Sequence, residues 1–334
     1  MTTLLTGASG FIGSAVLRQL LKHGHEVRAL VRKSSNTANI KGLSVEIVNG
    51  DLNDIRSLKR AVHGCDSLFH VAADYRLWAL KPAEIYQTNV RGTRNIMIAA
   101  MDAGVKRVVY TSSVATIGLP AHGDLADETT PSDLHDMLGH YKRSKFIAEK
   151  EVDWLIREEG LPAVIVNPSA PIGPRDIKPT PTGRIIVEAA SGRMPAYMNT
   201  GLNLVHVDDV AKGHLLAYDH GKVGERYILG GVNMTLKEIL GKIAAITRLP
   251  APKICLSYNL ILPVAYISDA IARLTKKNDP FITVDGVKMA RKNMFFSTEK
   301  AKRALGYKTR PITEALEDAI NWFRDNGYLV PGQR

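Results

Sequence analysis

The sequence predicts an α/β fold, a doubly wound parallel sheet with a smaller C-terminal region, and three observations carry that expectation. In the first half, short β-branched runs alternate with longer helical patterns, the order that sets parallel strands between flanking helices. Four helical patterns stop at Gly24, Gly64, Gly104 and Gly160, where a helix end commonly needs a left-handed residue. After Asn167 the composition changes: Pro168, Pro171, Pro174, Pro179, Pro181 and Pro195 spread through a segment that reads as loops rather than long helices.

The elements follow in order. Thr3–Leu5 is a first short strand, closed by a glycine-rich turn, and the apolar period of Phe11–His23 makes the first helix. Val27–Val31 and Val45–Val48 are β-branched strands, and Ile55–His63 is a helix ending at Gly64. Ser67–Val71, the long helical pattern Pro82–Ala103, the strand Arg107–Tyr110, the helix Tyr141–Glu159 and the strand Ala163–Val166 complete the alternation. Leu204–Val207 and Arg226–Leu229 read as strands that return to the sheet, before helices at Leu236–Ile246, Thr298–Leu305 and Thr313–Asn326. The expected division is residues 1–167, with returning strands near 204–230, as the nucleotide-binding domain, and 168–203 with 231–330 as the substrate-binding region.

A chain of 334 residues with 45% apolar and 23% charged residues buries a real core as one large domain or two intimate ones. The net charge of +11 comes from lysines and arginines scattered through helical patterns, which reads as solvated faces rather than a nucleic-acid surface. Cys65 and Cys255 lack the close neighbours of a zinc or redox motif, so a reducing compartment fits. Thr2–Leu5 already reads as a strand, leaving no room for a leader peptide, and a cytoplasmic location is expected. The apolar stretch Ile254–Ile271 is broken by Ser257, Asn259, Pro263, Ser268 and Asp269, against a spanning helix of roughly 20 apolar residues. It ends in Arg273, Lys276 and Lys277, as an interfacial helix would; ordinary packing of a C-terminal helix is the competing reading. No His/Asp/Glu set has metal-ligand spacing: His206 with Asp208 and Asp209 comes nearest, and helix capping explains it better.

Chemistry gathers in three places. Thr6-Gly7-Ala8-Ser9-Gly10-Phe11-Ile12-Gly13 joins a strand to a helix, with glycines spaced three apart so that backbone N–H groups approach a pyrophosphate at a helix N-terminus. At the end of the second strand, where a carboxylate would hold the ribose 2′-hydroxyl of NAD, stand Arg32 and Lys33; cations there suit a 2′-phosphate, which favours NADP with NAD as the alternative. Asp51 and Leu52 are placed to meet the adenine, and Asp51 also fits a helix cap. Tyr110-Thr111-Ser112-Ser113 ends a central strand on the crevice side, and Tyr141 and Lys145 share a helix face at a proton-relay spacing.

Together these motifs resemble the extended short-chain dehydrogenase/reductases over nearly the whole chain. The resemblance implies that Ser113 binds the reacting oxygen, with Gly118 at the usual distance after it, and that Tyr141 is the acid/base. It implies that Lys145 holds the nicotinamide ribose and lowers the tyrosine pKa, and that Asn89, in Asn89-Val90-Arg91-Gly92-Thr93, supports the centre. Phe69-His70-Val71-Ala72-Ala73 and Asn167-Pro168-Ser169 resemble segments lining the cofactor, which brings in Val71, Ala72, Ala73 and Pro168.

Longer runs, Ala72–Trp78, Pro171–Arg184 and Gly201–Asp209, resemble the hopanoid-associated sugar epimerases, relatives of the dihydroflavonol reductases. Three reactions share such a centre. A 4,6-dehydratase would carry an Asp-Glu pair after the catalytic hydroxyl, where this chain has Val114-Ala115. Arg32 and Lys33 tip the balance from an epimerase with tightly bound cofactor toward an NADP(H)-dependent oxidoreductase acting on a sugar-like or polyol group of a hopanoid intermediate. A nucleotide-sensing scaffold is the non-catalytic alternative, although such relatives commonly lose the tyrosine or lysine. Tyr75, Trp78, Arg175, Lys178 and Arg184 are the expected substrate pocket. The implied partners are a small molecule, a peripheral membrane contact and a second copy of the chain in a homodimer, with no nucleic acid.

Overall fold

In the computed structural model, which describes residues 1–120, 124–275, 280 and 282–329, the strands follow the predicted alternation. They are β1 (Thr2–Thr6), β2 (Glu26–Val31), β3 (Glu46–Asn49), β4 (Ser67–His70), β5 (Arg107–Thr111), β6 (Ala163–Pro168), β7 (Ala170–Ile172), β8 (Ala196–Met198), β9 (Gly201–His206), β10 (Arg226–Leu229), β11 (Val232–Thr235) and β12 (Ile254–Leu256). Seven of them form one sheet in the order β3-β2-β1-β4-β5-β6-β10, every pair parallel. Strand order reverses between β1 and β4, so the crevice beyond their carboxyl ends is where such a sheet binds ligands.

The helices are α1 (Phe11–Lys22), α2 (Ile55–Val62), α3 (Ala83–Tyr86), α4 (Gly92–Asp102), α5 (Gly139–Glu159), α6 (Pro181–Ala190), α7 (Val207–His220), α8 (Leu236–Thr247), α9 (Tyr258–Leu274), α10 (Val284–Met289), α11 (Glu299–Leu305) and α12 (Ile312–Asp325). Because parallel strands are apolar on both faces, the sheet needs two covers. Leu17, Leu20, Val210 and Leu215 of α1 and α7 pack on one face. Leu58, Ala61, Ile96, Met97, Val152 and Leu155 of α2, α4 and α5 pack on the other. Gly24, Gly64, Gly104 and Gly160 all have φ between 71° and 78°, the left-handed stops that the pattern required.

Four features depart from the sequence expectation. The strand expected at Leu204–Val207 ends at His206 and does not return to the main sheet; β9 pairs with β7 and antiparallel with β11 in a separate three-stranded sheet. The place beside β6 is taken by β10 alone, and the Gly230-Gly231 turn then lets the chain switch sheets, since a Cβ at Gly231 would fall 2.2 Å from the Leu204 carbonyl oxygen. The helix expected over Pro82–Ala103 is interrupted by a π-helical turn, Gln87–Arg91, between α3 and α4; such turns concentrate at functional sites, and this one carries Asn89. The proline-rich segment holds the ten-residue α6, because Pro181 sits in its first turn with Thr180 as N-cap, where proline is tolerated. Finally, the capping read at His206, Asp208 and Asp209 begins a helix whose extent was not legible: the His206 ring starts α7 by accepting the Asp208 N–H at 2.9 Å, and the helix runs to His220.

The C-terminal region has its own apolar cluster, with Ile186 of α6, Ile239 of α8 and Leu316, Ile320 and Phe323 of α12 packed under β7 and β9. One face of α9 is covered, through Ala265 and the Val284 and Val287 side chains of α10. Its other face is bare: Leu260, Val264, Ile267, Ile271 and Leu274 recur at helical spacing and are exposed, Leu274 by 83%. Lys276 and Lys277 lie outside the described residues. No helix among the described residues is long and apolar enough to cross a membrane.

Candidate active site

The glycine loop fits backbone against backbone. Gly7 has φ +75°, and a Cβ there would stand 2.7 Å from the Ala72 nitrogen; a Cβ at Gly13 would stand 1.9 Å from the Gly7 carbonyl oxygen. Gly10 donates its N–H to that same oxygen at 2.9 Å and begins α1 with no side chain capping it. The first N–H groups of α1, Phe11 and Ile12 among them, therefore face the crevice as the free donors that an anion satisfies. Ser9 is held from behind, its carbonyl accepting from Asn39 Nδ2 at 3.2 Å.

A hydrogen-bonded chain ties this loop to the fourth strand. Thr6 Oγ1 accepts the Ala72 N–H and lies 2.7 Å from His70 Nδ1, while His70 Nε2 lies 3.0 Å from Thr93 Oγ1. Burial, followed by the nearby Lys145 charge, pushes His70 down to about 3, so it is a neutral strut. Val71, Ala72 and Ala73 follow at the crevice edge and are partly accessible.

At the adenosine end, Arg32 and Lys33 are exposed just beyond β2, and neither side chain has a partner among the described residues. Leu52 is buried and packs on Gly92, whose Cβ would fall 2.8 Å from the Leu52 Cβ. Asp51 does not cap α2. Its carboxylate accepts from the Asn53 backbone at 2.8 Å, and Asp54, one turn nearer the helix, caps α2 through the Arg56 N–H.

The catalytic candidates converge beyond β5. Ser113 leaves the strand in extended conformation and its Oγ accepts the Ala115 N–H at 3.1 Å. Tyr141, in the first turn of α5, is partly accessible; burial raises its pKa, the nearby Ser113 hydroxyl opposes this, and Asp74 adds to the rise. Asn89 is almost fully buried and joins three elements. Its Oδ1 accepts from the Asp74 N–H at 2.7 Å, and its Nδ2 donates to the Asp74 carbonyl at 2.8 Å and to Ser144 Oγ at 2.9 Å.

Lys145 is anchored at the end of β5. Its ammonium donates to the Thr111 carbonyl at 2.8 Å and to the Tyr110 hydroxyl at 3.2 Å, because the end of β5 offers a buried acceptor directly beneath it. Burial lowers Lys145 to about 8, with Glu149 opposing.

Glu149, Asn167 and Thr116 form a support that sequence reasoning missed. Glu149 Oε2 accepts from Thr116 Oγ1 and Asn167 Nδ2, both at 2.9 Å, and Glu149 Oε1 accepts from Arg226 at 3.0 Å. Asn167 Nδ2 also reaches the Ser113 carbonyl at 3.0 Å, fixing the loop that carries the hydroxyl. The available signal was spacing: Tyr141, Lys145 and Glu149 recur every four residues on one face of α5.

The expected substrate residues do not all meet. Tyr75 donates its hydroxyl to the Lys178 carbonyl at 3.1 Å, which joins those two segments through backbone, with the Lys178 side chain exposed. Trp78 is half-buried and its indole N–H has no acceptor among the described residues. Arg184 lies near Asp176. Arg175 belongs elsewhere: it has φ +77°, pairs with Asp208, and gives its carbonyl to Asn39 at 3.0 Å. That bond to Asn39 holds it behind the Ser9 loop.

The residues fit a dinucleotide. The glycine cradle leaves no room for a Cβ at Gly7 or Gly13, α1 begins without a side-chain cap, and Ser112 Oγ, Asn167 Oδ1 and Ser169 Oγ around β5 and β6 are buried polar atoms without hydrogen-bond partners among the described residues. Pro168, between two of them, ends β6 and is buried.

Comparisons with known proteins agree with this geometry. A model of the NAD dependent epimerase/dehydratase family matches residues 3–230. The chain is similar to a putative dihydroflavonol 4-reductase of Synechocystis sp., 46% identical over 97% of this chain and 95% of the relative. It is also similar to sterol demethylase protein B of Methylococcus capsulatus, 35% identical over 98% of this chain and all of the relative, 100%. Among solved structures, that of gox2253 superimposes with a TM-score of 0.89 at 51% identity, covering 98% of this chain and 99% of the other.

Proposed function

Because the chain belongs to the NAD dependent epimerase/dehydratase family, we propose that it is an NADPH-dependent reductase of a carbonyl on a sugar-like or polyol group of a polycyclic, hopanoid-type lipid. It is an NAD(P)-dependent oxidoreductase/epimerase of the extended short-chain dehydrogenase/reductase type. The observation that carries the reading is the Tyr141 phenol close to Ser113 at the end of β5 beside a glycine cradle closed by Gly7 and Gly13. The nicotinamide, when bound, supplies the hydride. Ser113 orients the carbonyl oxygen, and Tyr141, held protonated by burial, gives that oxygen its proton. Asn89 positions α5 through Ser144, and Glu149 with Asn167 holds the Ser113 loop.

Two points favour net reduction over epimerisation. Arg32 and Lys33 are exposed at the end of β2, where they suit the 2′-phosphate of an exchangeable NADPH, and a relative named as a reductase is 46% identical. The sterol demethylase relative supports a polycyclic lipid. Purified protein incubated with hopanoid side-chain ketones is expected to oxidise one NADPH per product molecule, faster than NADH, with Arg32→Ala narrowing that preference. Product formed without net loss of NADPH means epimerisation, and tight NADPH binding with no turnover on any carbonyl or alcohol means a sensing scaffold.

The bare face of α9 extends this reading to the source of the substrate. Its apolar residues end at exposed Arg273, with exposed Lys253 before β12, a pattern suited to lying on an anionic lipid surface. Co-sedimentation with phosphatidylglycerol vesicles is expected for the native protein and is lost in Leu260→Glu/Ile267→Glu. Equal sedimentation of both removes the membrane contact.

A further inference from the structure

We propose that the cleft beside the catalytic helix, lined by Lys142, Lys288 and Lys292, is an anion subsite that receives a carboxylate or phosphate carried by the substrate. The inference deepens the reductase reading and rests on it. The cleft holds about 210 Å³, and its walls also include Ala115 and Gly118, which follow Ser113, and Leu138, which precedes Tyr141. Ser113 and Tyr141 do not themselves line it, but Lys142 is the residue after Tyr141 on α5 and Ala115 lies two residues past Ser113, so the cleft adjoins the segments that carry both hydroxyls.

The charge in this cleft is unbalanced. Lys142 is half-buried, yet the sole polar contact of its ammonium among the described residues is the Met294 sulfur at 3.9 Å. A thioether is a weak acceptor and cannot offset the cost of withdrawing a cation from water. Neither Lys288 nor Lys292 has an ion pair among the described residues. The carboxylate in the wall, Asp136, is turned to its own capping box and accepts the Asp133 N–H at 3.0 Å. Burial, followed by the Lys292 charge, pushes Lys142 down to about 8. Three lysines against one carboxylate leave the lining of this cleft net positive, with Lys292 exposed at its rim, and an oxyanion would give Lys142 the charge-assisted partner it lacks, such bonds being about twice as strong as neutral ones.

The position also selects the substrate. A ketone bearing its anionic group a few bonds from the carbonyl would be fixed at two points, by Ser113 at one end and by the lysines at the other, which is the orientation that proton and hydride transfer need. A neutral polyol would leave Lys142 unpaired.

The test reads binding and needs no turnover. With the enzyme saturated with NADP⁺, so that the cofactor phosphate sites are filled, calorimetric titrations with inorganic phosphate and with acetate are compared in native protein, Lys142→Met and Lys142→Arg. Native protein is expected to bind at least one of the two, the tighter one indicating which class of anion the substrate carries. Lys142→Met is expected to weaken that binding at least tenfold with NADPH affinity unchanged, and Lys142→Arg to retain it. Lys292→Met serves as a second variant should Lys142→Met fold poorly, and is expected to weaken the same anion. Binding of neither anion to native protein, or equal binding by native protein and a well-folded Met variant, overturns the proposal. Those outcomes leave NADPH-dependent reduction standing, whereas failure of reduction with anion binding intact would count against the reductase reading alone.

Discussion

Tyr141→Phe is expected to lower kcat by about 10²–10⁴-fold, the usual worth of a well-placed proton transfer, while the protein still binds NADPH. The substitution removes one oxygen from a ring whose surroundings stay packed, so thermal stability should change little. The pH dependence follows from the same geometry. Burial raises the Tyr141 pKa above that of a free phenol, so the group carries its proton at neutral pH and is ready as an acid. Reduction should hold its rate through neutrality and fall as pH climbs toward the tyrosine pKa. Lys145, lowered to about 8 by burial, loses its charge earlier in that climb and should make the decline begin sooner. Stopped-flow reduction and a fluorescence titration with NADPH check both halves. A Phe variant with most of its turnover intact would show that the proton comes from elsewhere.

The sequence made the sheet legible because parallel strands buried on both faces must be apolar throughout, and a left-handed glycine follows the covering helices α1, α2, α4 and α5, though not α7, which ends at Gly221 with φ −67°. The strands β1, β2, β4, β5 and β6 carry that local signal, whereas β3, at the sheet edge, is mostly exposed and was legible through its β-branched residues. What was not legible is set by contacts distant in sequence. The strand at Gly201–His206 has the composition of a sheet strand, and only its partners, β7 and β11, decide which sheet it joins. Arg175 had cationic reach that suited a pocket, but Asp208, 33 residues away, and Asn39, 136 residues away, fix it behind the loop. Asn89 came from a motif, whereas its hydrogen bonds depend on a π-helical turn that no composition signals. The anion cleft draws Lys142 together with Lys288 and Lys292 from the far end of the chain, so no local pattern announces it.

Gly13→Ala should abolish most cofactor binding, and Gly24→Ala should not, although the two glycines stand at the two ends of α1, Gly13 in its first turn and Gly24 just past its last. At Gly13 the added methyl would sit 1.9 Å from the Gly7 carbonyl oxygen and 2.6 Å from its carbon. Both neighbours are backbone, so relief requires the turn at Gly7 to open or α1 to retreat. Either movement withdraws the N–H groups that face the pyrophosphate. Overpacking of this kind costs about 1–3 kcal/mol, and a loop that must reverse the displacement to bind would lose about 10–100-fold in NADPH affinity at 1.4 kcal/mol per factor of ten. At Gly24 a Cβ meets nothing within 4 Å, but φ is +78°, so alanine there costs about 1 kcal/mol of stability through backbone strain alone. The pair separates the two effects. Both variants should melt a few degrees below the native protein, about 2–4 °C per kcal/mol in larger domains, while NADPH affinity falls only in Gly13→Ala. If Gly13→Ala binds NADPH like the native protein, the loop is a tight turn and the cofactor lies elsewhere. If Gly24→Ala loses affinity to the same degree, the loss reflects destabilised α1 rather than the cradle.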